Sequence, residues 1–81
     1  MAKTLRELEL GQTAIIAEVT GADAIAMRLM ELGIFPGESI SMIGTAPLGD
    51  PREYDVCGSQ ISLRRAETER VLLTPDIPAS Q

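Results

Sequence analysis

Between residues 47 and 51 the chain reads Pro-Leu-Gly-Asp-Pro, and no other stretch restricts its conformation as much. Two prolines set φ at about −65° at both ends and remove two backbone donors. The residues before them, Ala46 and Asp50, are pushed toward extended geometry. Gly49 permits a positive φ at little steric cost. The segment separates two strand-like stretches. It reads as a shaped loop that carries one apolar side chain, Leu48, beside the carboxylate of Asp50.

The flanking sequence alternates in the manner of short strands. Residues 12–19 are rich in small and β-branched apolar types, with Ile15, Ala17 and Val19 on one face and Ile16 on the other. Residues 38–46 set Ile40 and Met42 against Ser39 and Ser41, and Gly44 predicts a bulge or a close backbone approach. After the loop, Gly58-Ser59 suits a two-residue type II′ turn. That register sets Val56 opposite Ile61, Tyr54 opposite Leu63 and Glu53 opposite Arg64. Residues 66–69 read as a single helical or tight turn, and Val71-Leu72-Leu73 as a last strand.

One helix, over about 21–32, interrupts the strands. Thr20 is its expected N-cap, and Asp23 suits the positive end of the helix dipole. Ala22, Ile25, Leu29 and Leu32 form its buried stripe. Gly33 is expected to end it in a left-handed conformation, with Ile34 packing back on Leu29. Phe35-Pro36-Gly37-Glu38 then reads as a type II turn. At the start of the chain, Thr4 and Glu7 match a capping box around a short turn that carries Leu5 and Leu8, ended by Gly11. Five strands and one inserted helix in 81 residues predict a small, strongly bent, mainly β barrel. An open sheet with the helix across one face is the alternative. Residues 1–75 are expected to form one domain and 76–81 a flexible tail, since Pro75 and Pro78 break regular structure.

Composition removes several function classes. With 12 acidic and 7 basic residues the net charge is −5, which opposes binding to nucleic acid or anionic lipid. No apolar run approaches the roughly 20 residues of a membrane span. The N-terminus lacks a signal-like apolar segment, and the single Cys57 excludes an internal disulfide, so a cytoplasmic location is expected. There is no histidine, hence no imidazole base. Cys57 has no neighbouring cation in sequence and reads as an inert thiol. Asp50, Glu53 and Asp55 read as solvated acids that neutralise Arg52 and Arg64. Scattered acids and one thiol make no spaced metal-ligand set, and the glycines form no phosphate loop. The expectation is a protein with no enzymatic activity, no cofactor and no metal site.

The order of Leu5, Leu8, Gly11, Arg28-Leu29, Leu32-Gly33-Ile34, Pro36-Gly37, Ala46 to Pro51, Val56, Gly58 and Ile61-Ser62-Leu63-Arg64-Arg65 resembles the ferrous iron transport protein A family, FeoA. The resemblance runs from about Thr4 to Thr74. It implies an SH3-like small barrel acting as a cytoplasmic accessory or regulatory protein of ferrous iron uptake. The implied partner is the membrane transporter, which carries a cytosolic GTP-binding domain. A similar barrel also ends some iron-dependent repressors, so an interaction module that dimerises or binds peptides is the alternative. Two departures from the family pattern, Ser59 and Thr68, read as peripheral.

Elimination leaves protein–protein contact. The candidate contact residues are Leu48, Gly49 and Asp50 on the loop, and Met27 and Met30 on the helix flank, where flexible thioethers suit adaptable surfaces. Pro36, Gly37, Pro47, Pro51 and Gly58 shape the loops. Two points stay open in the sequence. Leu48 either faces a partner or folds inward, and the two methionines either meet a partner or widen the core stripe.

Overall fold

The computed structural model describes residues 3–74; the expected tail at 76–81 lies outside them. The strands are β1 (Thr13–Val19), β2 (Ser39–Thr45), β3 (Arg52–Val56), β4 (Ser59–Leu63) and β5 (Val71–Leu73). Helix α1 spans Ala24–Glu31 and the single-turn α2 spans Arg65–Thr68. A 3-10 turn, Leu5–Glu7, precedes them. The strands form one antiparallel sheet in the order β4-β3-β2-β1-β5. Register shifts between Ile16 and Glu18, and between Met42 and Gly44, add twist where the sheet must bend. The second is the irregularity that Gly44 announced.

Alternation places the core. Ile40 and Met42 of β2, and Tyr54 and Val56 of β3, are buried on one face, with Leu5, Leu8, Leu29, Ile34, Leu63 and Val71 packed among them. In β1 the buried face holds Ala14 and Ile16, not the odd-numbered positions. The shift after Ile16 then brings Val19 round to pack against the core. A bulge in mid-strand thus replaces the single register assumed from the sequence.

Helix α1 starts three residues later than expected. Thr20 does not cap it, because its N–H and hydroxyl both go to the Arg70 carbonyl, at 2.8 and 3.1 Å. Asp23 is the N-cap and accepts from the Ala26 N–H at 3.2 Å. The buried helix positions are Ala26 and Leu29; Ile25 and Leu32 pack at the margin, and Ala22 is exposed ahead of the helix. The C-terminus follows the expectation closely. Gly33 has φ +97°, its N–H reaches Met30 C=O at 3.0 Å, and the Ile34 N–H reaches Leu29 C=O at 3.1 Å, which is a Schellman ending. The type II turn at Pro36-Gly37 is also present, with Glu38 N–H bonded to Phe35 C=O at 3.1 Å.

The β3–β4 hairpin turns one residue earlier than expected. Cys57 and Gly58 occupy the turn with φ +54° and +78°, a type I′ geometry whose twist suits flanking strands. The pairs are therefore Val56 with Ser59, Tyr54 with Ile61 and Arg52 with Leu63. Glu53 faces Ser62, not Arg64. Faces are preserved, because each partner moves by two residues.

Polar contacts lock the periphery. Arg52 is not neutralised by its acidic neighbours. Its Nη1 donates to the carbonyls of Arg6 and Leu8, at 2.9 and 3.1 Å, and ties down the N-terminal turn. Glu67 is buried; it accepts from the Arg64 N–H at 2.8 Å and pairs with Arg28 at 3.4 Å, joining α2 to α1. Thr68 is fully buried, contrary to the peripheral reading. Its hydroxyl donates to Arg65 C=O at 2.8 Å, so burial leaves no orphan donor.

The start of α1 is pinned to Arg70, the residue that leads into β5, by a two-pronged contact. Arg70 Nη2 and Nη1 meet Asp23 Oδ2 and Oδ1 at 2.7 and 3.0 Å. A Cβ at Gly21 would collide with Arg70 Nη1, so glycine there makes room as well as supplying its φ of +90°. The Arg70 hydrogen bond, then the Ala26 N–H, hold the Asp23 carboxyl well below its ordinary value of 3.8. Protonation is thus disfavoured in the native state, and unfolding takes up a proton as the pH falls. The stability this pair adds is complete above the ordinary carboxylate value and is lost as pH drops below it. Thermal melts between pH 7 and 3 are expected to show Asp23→Asn as less stable at neutral pH and less sensitive to acid than the parent.

Candidate functional site

The loop between β2 and β3 is held at three points. Ala46 N–H bonds to Pro51 C=O at 3.0 Å, and Gly49 N–H bonds to Ala46 C=O at 2.8 Å, closing a turn over Pro47 and Leu48. Gly49 has φ +87°, the conformation its lack of a Cβ allows. Asp50 Oδ1 accepts from the Arg65 N–H at 2.8 Å, anchoring the loop to α2. Asp50 is exposed yet already engaged by the fold, so its first role is to fix the loop.

Leu48 stands at the tip of this turn and is 95% exposed. The inward alternative left open by the sequence does not occur. Hiding a leucine from water is worth roughly 1.5–3 kcal/mol, and the native fold does not realise it here. A fixed backbone that holds an apolar side chain in water loses little entropy when a partner covers it.

Met27 and Met30 lie one turn apart on the exposed flank of α1, at 61% and 42% exposure, outside the core stripe. The loop and α1 are connected through α2: Asp50 bonds to the Arg65 backbone, and Arg28 of α1 pairs with Glu67. Three further large apolar side chains, Leu10, Phe35 and Ile43, are at least 40% exposed and were not singled out from sequence. A usable signal existed for Phe35, which sits at the first position of the Pro36-Gly37 turn and belongs to no apolar stripe.

The chemistry of the surface is sparse. Cys57 is exposed at the hairpin turn, and its thiol donates to Glu38 Oε1 at 3.1 Å. That bond, with a smaller contribution from desolvation, holds the thiol above the ordinary cysteine range. Nucleophilic attack requires the thiolate, so Cys57 is expected to react slowly with iodoacetamide at neutral pH despite its exposure. Glu38→Gln should speed the alkylation, a change readable by mass spectrometry. Among the described residues, no group of three or more His, Cys, Asp or Glu side chains could hold a metal ion. No helix among them is long and apolar enough to cross a membrane.

Comparison with known proteins places this geometry. The FeoA domain model matches residues 3–75. A fusion of Fe(2+) transport protein A with the Fe(2+) transporter FeoB, from Porphyromonas gingivalis, is 34% identical over 67 residues. The match covers 83% of this chain but only 8% of the length of that fusion protein. The zinc-complexed crystal structure of FeoA from Stenotrophomonas maltophilia, described as a prokaryotic SH3 domain protein, superposes with a TM-score of 0.79 at 38% identity. The superposition covers 90% of this chain and 91% of that one. The solution structure of FeoA from Chlorobium tepidum gives a TM-score of 0.82 at 35% identity, over 96% of this chain and 72% of that one. The bent five-stranded sheet is thus an SH3-like fold, as expected.

Proposed function

This chain belongs to the FeoA domain family of ferrous iron transport, and from that premise we propose that it is a cytoplasmic accessory protein that docks on the cytosolic part of the membrane Fe(2+) transporter. The observation that carries the reading is Leu48, 95% exposed at the tip of a loop fixed by its own backbone and by α2. Its leucine is the apolar anchor and Gly49 lets the partner approach the backbone. Asp50 holds the loop in shape. Met27 and Met30 supply a second, more adaptable contact. The fusion of a related domain to FeoB supports the choice of partner, since it joins the two functions in one polypeptide.

In this reading any GTP hydrolysis belongs to the partner, and the small barrel contributes only contact. The test is a binding measurement between this chain and the detergent-solubilised transporter, with and without guanine nucleotides. Saturable binding that depends on Leu48 is the expected result. No binding under any of these conditions defeats the proposal.

A further inference from the structure

Leu48 is not the only side chain that a fixed backbone holds in water at this end of the fold. The β3–β4 ladder ends on the pair Arg52–Leu63, which sets the next residues, Pro51 and Arg64, side by side. Arg64 therefore borders the Leu48 loop. Its backbone is held on both sides. Its N–H donates to Glu67 Oε1 at 2.8 Å, and its carbonyl accepts from the Glu67 and Thr68 N–H groups at 2.9 and 3.0 Å. Leu63 before it is fully buried, and Arg65 after it donates its N–H to Asp50 of the loop at 2.8 Å. Arg64 itself is exposed, and its guanidinium has no hydrogen-bond or ion-pair partner among the described residues.

A solvated guanidinium is ordinary on a surface. Here the neighbouring acids make it informative, because the fold draws each of them elsewhere. Asp50 is taken by the Arg65 N–H. Glu67 accepts from the Arg64 backbone and pairs with Arg28 at 3.4 Å, and Glu69 pairs with the Arg65 guanidinium at 3.5 Å. Glu53 faces Ser62, which places it diagonal to Arg64 across the ladder, within reach of a long side chain. Its carboxylate lies over β2 instead: a Cβ at Gly44 would come within 3.4 Å of Glu53 Oε1. Glycine at position 44 thus makes room for the acid on the side away from β4.

We propose that Arg64 is a docking residue, pairing with a carboxylate of the transporter's cytosolic part beside the apolar site that takes Leu48; this rests on the transporter-docking reading. The surface it selects is apolar with an acidic rim. Arginine suits the task, because its planar fork meets a carboxylate through two hydrogen bonds and it recurs among the residues that dominate binding energy. The net charge of −5 does not oppose the contact. At physiological ionic strength, charges beyond about 8 Å are largely screened, so a docked partner senses Arg64 and not the whole chain. Anionic lipid is the poorer occupant. It is held by clusters of basic residues, and the adjacent Arg65 is already paired with Glu69.

Binding of the whole chain to the detergent-solubilised transporter, measured between about 50 and 500 mM salt, tests the proposal. Arg64→Gln removes the charge and keeps the length. It is expected to weaken binding about tenfold at low salt and much less at high salt, with the melting temperature unchanged. Ser59→Glu alters the net charge by the same amount at the far end of β4, about 16 Å or two Debye lengths away, and should leave binding intact. Equal weakening by both variants would reveal a net-charge effect and overturn the proposal. If Leu48→Asp abolishes binding while Arg64→Gln changes neither affinity nor salt dependence, docking stands and the role of Arg64 falls. A parent chain that does not bind defeats both. Binding of the parent to vesicles containing about 30% phosphatidylserine, lost in Arg64→Gln, would assign the arginine to lipid and also overturn it.

Discussion

Leu48→Asp is expected to leave the melting temperature within about 2–4 °C of the parent and to weaken binding to the transporter about 30-fold or more. Stability should hold because the side chain is 95% exposed and makes no part of the core. Exposed substitutions of this kind usually stay within about 0.5 kcal/mol, and in a domain of this size each kcal/mol moves the midpoint by about 4–8 °C. Binding should suffer because an apolar anchor at the centre of a contact is worth about 2 kcal/mol or more. A carboxylate there must also be desolvated without a partner. Calorimetric melts, binding curves and uptake of ferrous iron by cells carrying the variant give three separate readouts. Leu48→Met should keep most of the affinity. A collapse in stability would show that Leu48 serves the fold, and normal binding would move the docking surface elsewhere.

Leu29→Ala should have the largest effect on stability, a loss of about 3 kcal/mol. Leu29 is fully buried where α1 meets the sheet, and its carbonyl receives the Leu32 and Ile34 N–H groups that close the helix. Truncating a buried leucine removes transfer energy and leaves a cavity, at about 2.7–5 kcal/mol in total. A domain of this length has about 4–12 kcal/mol of stability in all, so the melting temperature should fall by about 12 °C or more. Denaturant titration will report the loss directly. A change below about 1 kcal/mol would mean that α1 is not packed as described.

Much of the fold was legible because its signals are local. The Schellman ending at Gly33, the type II turn at Pro36-Gly37, the bulge at Gly44 and the alternation of β2 and β3 each depend on a few adjacent residues. The misreadings have other causes. Thr20 is a good N-cap by type, but β5 brings the Arg70 carbonyl to it from 50 residues away. Gly58-Ser59 is an acceptable turn, yet the strands turn at Cys57-Gly58, where both residues adopt positive φ. Arg52 sits among acids in sequence and bonds to the N-terminal turn in space. For Thr20 and Arg52 a distant partner outweighed the local preference.

The candidate surface divides in the same way. Proline and glycine around Leu48 were enough to predict a rigid loop, and the lack of histidine and the acidic net charge led to the expectation of protein contact over catalysis or nucleic-acid binding. Neither could tell which way Leu48 points. That depended on whether the bent sheet left room beneath the loop, and Ile40, Met42, Tyr54 and their neighbours already fill the core. The Asp50 bond to the Arg65 backbone then fixes the loop from outside.

The sequence by itself determined the strand-and-helix order, the turn positions to within a residue, and the family, because backbone restrictions and alternation act over short range. Only the tertiary structure decided that Leu48, Met27 and Met30 face water, and that the N-terminal turn covers the β5 edge of the sheet. Those outcomes depend on how a limited core volume is filled and on which distant backbone groups meet, and neither is written in any single segment.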